Sequence, residues 1–144
     1  MENKRFDVEL VKSFVEASKS DLSAAVSLLK DKNYNNSIFH SQQAVEKIVK
    51  AILIVHGKFK ATHIVSPELK RIQRKEKIGN DVVSAVRALE RHWVVSRYPF
   101  RLGKEVWNPA VAFDELDARE ALEKARFVVK EIGKILKERY GVEV

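Results

Sequence analysis

The 144-residue sequence contains no cysteine, three prolines and five glycines. Without cysteine, the chain can form no disulfide bond, no thiolate metal site and no cysteine nucleophile. No apolar run reaches the roughly 18–20 residues of a membrane-spanning helix, and the first ten residues lack the apolar segment of a secretory signal. We therefore expect a cytoplasmic protein without a membrane segment, rich in uninterrupted helices.

Several catalytic motifs are also missing. None of the three glycine–lysine pairs has the upstream glycine and following serine or threonine of a phosphate-binding loop. There is no HExxH helix and no Glu-x-x-His signature of a di-iron bundle. Four histidines are present without metal-ligand spacing: His40, His56, His63 and His92. We expect these histidines to be structural or solvated rather than metal ligands.

What the sequence does contain is typical of one globular domain spanning residues 1–144. Hydrophobic residues make up 45% of the chain and charged residues 33%, which suits neither a disordered nor a membrane-embedded protein. The 27 Lys and Arg exceed the 20 Asp and Glu, giving a net charge of +7. Such a basic protein favours polyanions such as RNA, DNA or nucleotides. Abundant Lys, Arg and Glu also give the composition a thermophile-like character.

Apolar residues recur every three or four positions along most of the chain, which predicts helices. The pattern gives three long helices and two shorter ones, at 7–30, 33–56, 67–76, 81–93 and 114–140. No segment alternates as a strand does, and residues 94–112 contain too much Pro and Gly for one helix. The sequence therefore predicts an all-α, antiparallel bundle of about five helices.

The second predicted helix carries polar side chains beside its apolar face. At 100° per residue, Gln42 falls within the apolar arc, whereas Gln43 falls outside it next to Lys47 and Lys50. A buried amide must find hydrogen-bond partners. Gln42 is therefore either a satisfied polar residue at a helix crossing or part of a binding site.

Two basic clusters, residues 68–77 and 87–104, stand out. The second cluster places Trp93 and Tyr98 among its arginines. Guanidinium groups bind phosphates and aromatic rings stack on bases, so this composition suits a nucleotide or nucleic acid. The alternative for each cluster is a solvated basic face, with the aromatic rings in the core.

Arg87 and His92 lie five positions apart in the second cluster. On one helix they would face different directions, so a joint catalytic use needs a second pair across a symmetric interface. There an arginine could hold a scissile phosphate while a histidine, expected to face solvent, transfers the proton of a 2′-hydroxyl. This reaction would need no metal.

Several segments together resemble the HEPN family (higher eukaryotes and prokaryotes nucleotide-binding domain) over about residues 10–135. They are Tyr34, the stretch QQAVEK at 42–47 followed by Lys50-Ala51, His63, and SRYP at 96–99. The SRYP segment resembles that of a branch of the family in which the RNase motif is often degenerate.

The resemblance implies a homodimeric bundle of about five helices without a cofactor. It also implies a separate minimal nucleotidyltransferase as partner, or a role as a component of a toxin–antitoxin pair. This chain itself lacks the Gly-Ser and Asp-x-Asp signature of a nucleotidyltransferase. Other family members are metal-independent RNA endonucleases with an Arg-x4-6-His motif, which Arg87 and His92 match in spacing. Ala88 departs from the polar residue that usually follows the arginine.

With the resemblance, the sequence favours an accessory subunit that binds a nucleotide or an RNA phosphate. The candidate binding residues are Gln43, Glu46, Lys47, Lys50, Arg97 and Tyr98. A structural ion pair between Glu46 and Arg97 is the alternative for those two residues. The RNA endonuclease with Arg87 and His92 is the competing function, and an assembly module without a specific ligand is the third. Large apolar side chains in 93–113 favour a homodimer.

Overall fold

The computed structural model describes residues 6–144, which form seven helices and one β-hairpin. In chain order the elements are α1 (Val8–Lys30), α2 (Tyr34–Val55), α3 (Ser66–Glu76), α4 (Asn80–Glu90), α5 (His92–Val95), β1 (Phe100–Leu102), β2 (Glu105–Trp107), α6 (Pro109–Ala112) and α7 (Glu115–Tyr140). Within this part of the chain, no helix combines the length and apolarity needed to cross a bilayer.

The three long helices form the bundle, and α2 lies at its centre. The turn between α1 and α2 is three residues long, so the two helices are antiparallel, and α7 packs on α2 as well as on α1. Because α2 has neighbours on several sides, Ile38, Ile48, Ile52 and Leu53 are all buried. Burial of each such side chain contributes about 1.5–3 kcal/mol. The predicted all-α bundle with three long helices is confirmed.

Helix ends follow local sequence signals. Asp114 accepts a hydrogen bond from the amide of Asp117, whose carboxylate accepts one from the amide of Asp114, so α7 begins with a capping box. Asn33 occupies the N-cap position of α2 but caps no backbone amide, because its side-chain oxygen accepts from Nδ2 of Asn36. α7 ends at Tyr140, and the residue that caps it is Gly141, whose φ of 67° suits glycine.

The prediction was wrong between residues 90 and 107 in two respects. The fourth helix stops at Glu90, and His92 begins a separate short helix. Arg91 between them keeps helical dihedral angles, and the Glu90 carboxylate accepts hydrogen bonds from the amides of Val65 and Ser66 at the start of α3. The end of α4 thus coincides with hydrogen bonds to residues 24 and 25 positions earlier in the chain, and no Gly or Pro marks a break there.

The second difference is the β-hairpin, which periodicity did not predict. Each strand has three residues, which is too short for a visible alternation, and the pairing Phe100↔Trp107 anchors the register. Gly103, with φ of 61°, supplies the positive dihedral angle of the two-residue turn. The Gly103-Lys104 pair between the short segments FRL and EVW was the available signal.

Candidate functional site

Three polar side chains on one face of α2 form a buried ladder. Glu46 accepts a hydrogen bond from Gln42 Nε2 at 3.1 Å and pairs with Lys50 Nζ at 3.0 Å. Gln42, only 1% exposed, uses its own oxygen to accept from Gln43 Nε2 at 2.8 Å. The ladder exists because residues four apart on a helix lie one above the other. Gln42 is therefore a satisfied buried amide, and its partners come from its own helix.

His63 links the ladder to the protein surface. Its Nδ1 lies 3.1 Å from Glu46 Oε1, and its ring stacks on Trp93 with 4.0 Å between ring centroids and an angle of 20° between the planes. The His63 side chain remains 48% exposed. A buried carboxylate on α2, a loop histidine and an indole on α5 are thus in continuous contact.

Arg97 is the exposed cation of this region. Its guanidinium carbon lies 4.7 Å from the ring centroid of Phe39, 5.4 Å from that of Trp93 and 4.8 Å from that of Tyr98. Among the residues described, no carboxylate pairs with it, so the alternative Glu46–Arg97 ion pair is not formed in the structure. Its charge is held by aromatic faces and remains accessible to an anion.

The backbone immediately before Arg97 is fixed by side chains from other elements. Asn35 at the start of α2 donates to the carbonyl of Ser96 at 3.2 Å, and Trp107 on β2 donates to the carbonyl of Val95 at 2.7 Å. Ser96 itself is fully buried and donates to the carbonyl of His92. The segment SRYP therefore has an anchoring serine followed by an outward-facing arginine and tyrosine.

The two lysines of the predicted phosphate site have carboxylate partners. Lys50 pairs with Glu46, and Lys47 Nζ lies 2.5 Å from Oδ2 of the buried Asp21 on α1. Since a paired lysine offers a phosphate less net charge, the open positive charge of the site rests on Arg97. The structure brings Gln43, Glu46 and Lys50 together in one network with His63. Arg97 contacts Trp93, the indole on which His63 stacks, and its own neighbour Tyr98.

Arg87 and His92 differ in their surroundings. Arg87 is exposed on α4, whereas His92 is half-buried and its Nδ1 has no hydrogen-bond partner in residues 6–144. Burial, followed by the charge of Arg91, lowers the pKa of His92 below its usual value. The expectation of a solvent-facing His92 was therefore wrong, because the ring packs edge-on against Phe113.

A cavity of about 150 Å³ adjoins His92. It is lined by Ala88, Leu89, Arg91, His92, Asp117, Glu120, Ala121 and Lys124. Arg87 is not part of this lining. Within one chain, Arg87 and His92 therefore do not face this cavity together.

A second buried carboxylate lies at the opposite end of α2. Glu76, at the end of α3, has a fully buried side chain, and its oxygens lie 3.2 Å from His56 Nε2 and 2.9 Å from Arg139 of α7. Arg139 also donates to the carbonyl of Lys75 at 3.1 Å. This cluster fastens three helical elements together.

Sequence reasoning missed three contributors to the site near Arg97. His63 was part of the resemblance without a role, and neither Phe39 nor Asp21 was a candidate. Phe39 and Asp21 follow the ordinary helical spacing of core residues, so no local signal marks them. Their roles arise from the neighbours that the bundle gives them.

Comparison with known proteins agrees with this architecture. The HEPN domain matches residues 11–136 of the chain. The chain belongs to the HEPN family. Across 99% of both sequences it is 38% identical to a protein of Methanocaldococcus jannaschii, the candidate toxin MJ1304.

Two crystal structures share the fold of this HEPN chain. One is TT1696 from Thermus thermophilus, with a TM-score of 0.77 and 23% identity over 88% of this chain and 98% of that one. The other is ST0689, an archaeal HEPN homologue, with a TM-score of 0.70 and 26% identity over 87% of this chain and 97% of that one.

Proposed function

We propose that this HEPN protein binds a nucleotide or an RNA phosphate at Arg97 and acts as a homodimeric binding subunit beside a separate nucleotidyltransferase. The observation that carries the proposal is an exposed guanidinium without a carboxylate partner in residues 6–144, held among three aromatic rings. The relationship to a candidate toxin supports a place in a toxin–antitoxin pair.

The surroundings of Arg97 suit a phosphate with an attached base. A guanidinium presents a planar fork of donors that matches two phosphate oxygens. Tyr98, 47% exposed, offers an aromatic face next to it on which a base can stack. The fixed carbonyls of Val95 and Ser96 hold the backbone in place, so little ordering is required when the ligand binds.

The proposal is tested by titrating wild type and Arg97→Ala with ATP and with a short RNA at two salt concentrations. Loss of one charge-assisted contact should weaken binding by about 1.5–3 kcal/mol, which is roughly a tenfold to hundredfold change in Kd. Because Arg97 is exposed, circular dichroism and the melting temperature should stay close to those of wild type.

Arg74→Ala and Lys75→Ala are the matched controls. Both side chains are exposed at the end of α3 and have no carboxylate partner in the described residues. Their loss should change the affinity little at physiological salt, because exposed charges are screened. Equal, small and strongly salt-dependent losses in all three variants would contradict a specific site and indicate a generic basic face.

The homodimer has a surface that can be tested. The aromatic residues of the hairpin region pack inward, with the rings of Trp107 and Phe113 at 5.7 Å, but Leu102, Val106 and Val111 are 54%, 56% and 78% exposed. These side chains support an apolar contact between two copies. Light scattering should give a dimer mass at micromolar protein, and Val106→Asp should shift it to the monomer. A wild-type monomer would refute the dimer.

The family resemblance supports a nucleotidyltransferase partner, because this chain itself lacks the Gly-Ser and Asp-x-Asp signature of such an enzyme. Co-expression with the product of a neighbouring gene that carries Gly-Ser and Asp-x-Asp should yield a complex in affinity purification. Failure of such a protein to co-purify would count against the accessory role.

A further inference from the structure

His63 stacks on the indole that Arg97 also contacts, and only one of its two ring nitrogens has a partner in residues 6–144. Both Lys50 and Gln42 donate to the Glu46 carboxylate, and a carboxylate in this role only accepts hydrogen bonds. The His63 Nδ1 that faces it at 3.1 Å must therefore carry a proton. In neutral His63 the other ring nitrogen, Nε2, is then a hydrogen-bond acceptor.

This acceptor faces away from the buried network. No residue in 6–144 makes a hydrogen bond or ion pair with Nε2 of His63, and the side chain is 48% exposed. The stack on Trp93 at 4.0 Å fixes the plane of the ring. Glu46 and Trp93 together thus set both the tautomer and the direction of the acceptor, as carboxylates do for histidines in other functional sites.

Trp93 is also the link to the proposed phosphate site. The guanidinium of Arg97 lies 5.4 Å from the centroid of the same indole on which His63 stacks. Arg97, the proposed phosphate contact, and His63, the hydrogen-bond acceptor, therefore both contact Trp93. Ribose carries a hydroxyl group close to its phosphate, and the 2′-hydroxyl distinguishes RNA from DNA.

We propose that His63 is the ribose-recognising residue of the site, with Nε2 accepting a hydrogen bond from the 2′-hydroxyl of a ribonucleotide whose phosphate contacts Arg97. The inference rests on the proposed phosphate contact of Arg97 and assigns the ligand class: ribonucleotides in preference to deoxyribonucleotides. Glu46 acts as a positioning residue, because it holds the tautomer without touching the ligand.

The experiment measures Kd for ATP and 2′-deoxy-ATP, and for a short adenosine RNA and the DNA of the same sequence, by calorimetry. Each pair differs only in 2′-hydroxyl groups. One neutral hydrogen bond in the binding site should make wild type prefer ATP by about 2- to 12-fold. The RNA should be preferred by at least a similar factor.

Two variants isolate His63. His63→Phe keeps an aromatic ring for the stack on Trp93 but removes the acceptor, so the preference for ATP over 2′-deoxy-ATP should fall to about one while deoxy-ATP binding is retained. His63→Gln places an amide oxygen near the position of Nε2 and should keep part of the preference. Melting temperatures close to that of wild type show that both variants fold, as expected for a half-exposed loop residue whose partner Glu46 keeps Lys50 and Gln42.

The possible failures can be told apart. Equal wild-type affinity for the ribo and deoxy ligands, or an unchanged preference in His63→Phe, overturns the ribose assignment and leaves the phosphate site at Arg97 standing. Unchanged affinity in Arg97→Ala, or no binding of any of the four ligands to wild type, overturns the proposed function and the ribose assignment together.

Discussion

Glu46 and Glu76 are both buried carboxylates that contact a histidine and a basic side chain, yet their surroundings differ. The histidine at Glu46 is 48% exposed, stacks on an indole and has a ring nitrogen without a partner in residues 6–144. The histidine at Glu76, His56, is 8% exposed, and its Nε2 lies 3.2 Å from the carboxylate. The first cluster leads from the core to an exposed ring nitrogen, whereas the second joins α3, α7 and the end of α2 around a fully buried carboxylate.

This contrast separates a buried charge with a structural role from one that can serve recognition. At Glu76, removing His56 or Arg139 leaves a carboxylate in the core with less compensation, and the expected result is lost stability. At Glu46, two donors on α2 satisfy the carboxylate without His63, so the histidine can be altered with little damage to the fold. Five predictions test the contrast between the two clusters and the charges around them.

The largest effect is expected for Arg139→Ala, which removes the guanidinium 2.9 Å from the buried Glu76. The free energy of unfolding should fall by about 3 kcal/mol, the lower end for a broken buried pair because Arg139 is partly exposed. Urea denaturation measures it. The control Arg126→Ala removes an exposed arginine from the same helix and should stay within about 0.5 kcal/mol of wild type. Similar losses in both variants would mean that the Glu76 cluster has no special structural role.

The second prediction compares the two histidines directly. His56→Ala should lower the free energy of unfolding by about 2 kcal/mol, because it deletes a buried side chain that contacts Glu76 and Tyr140. His63→Ala should cost less than about 1 kcal/mol, since its ring is half exposed. Thermal or urea unfolding of both variants decides this, and a reversed order would invalidate the structural and recognition roles assigned to the two clusters.

The third prediction concerns Lys47, which the sequence places in the phosphate site and the structure pairs with Asp21. Lys47→Gln should leave the affinity for ATP unchanged and lower the free energy of unfolding by less than about 1 kcal/mol, because Asp21 keeps His40. Calorimetric titration beside Arg97→Ala is the measurement. A roughly tenfold loss of affinity would show that Lys47 contacts the phosphate despite its carboxylate partner.

A smaller effect is expected from the pH dependence of His92. Burial and Arg91 lower its pKa in the folded protein, so as the pH falls through the usual histidine value of about 6.5 the unfolded chain binds a proton first. The stability contributed by neutral His92 is therefore present above that pH and is lost below it. Wild type should lose stability relative to His92→Asn as the pH falls from about 8 to about 5 in urea denaturation, and the comparison isolates His92 because the two proteins differ at no other residue. A difference that does not change with pH would contradict this.

No change is expected in the fifth comparison, which concerns RNA cleavage. Ala88 stands where active family members usually have a polar residue, and His92 packs against Phe113 rather than facing solvent, so we expect wild type, Arg87→Ala and His92→Asn to leave single-stranded RNA equally intact in EDTA. Gel analysis of a labelled RNA provides the measurement. Cleavage by wild type that is lost in both variants would support the endonuclease, since catalytic residues that act together lose activity together.

The helices of this protein are encoded locally, and the amino-acid sequence was enough to predict them. Apolar spacing in Val8–Lys30, Tyr34–Val55 and Glu115–Tyr140, with the capping box at Asp114, is local information, because helical hydrogen bonds join residues four apart. The composition of the segment around Arg97 predicts an anion-binding surface, and this stays a prediction.

Which charges are free depends instead on tertiary packing. Lys47 pairs with Asp21, which lies 26 positions earlier in the chain. His63 in the loop after α2 stacks on Trp93 of α5. Periodicity shows which face of a helix is apolar, but the partner of a polar side chain depends on how neighbouring helices are rotated and where a loop returns. Lys47 is paired because α1 packs against α2, whereas the Lys50–Glu46 pair follows from helical spacing within α2. Arg97 has no carboxylate partner in residues 6–144, and only the tertiary structure decided that.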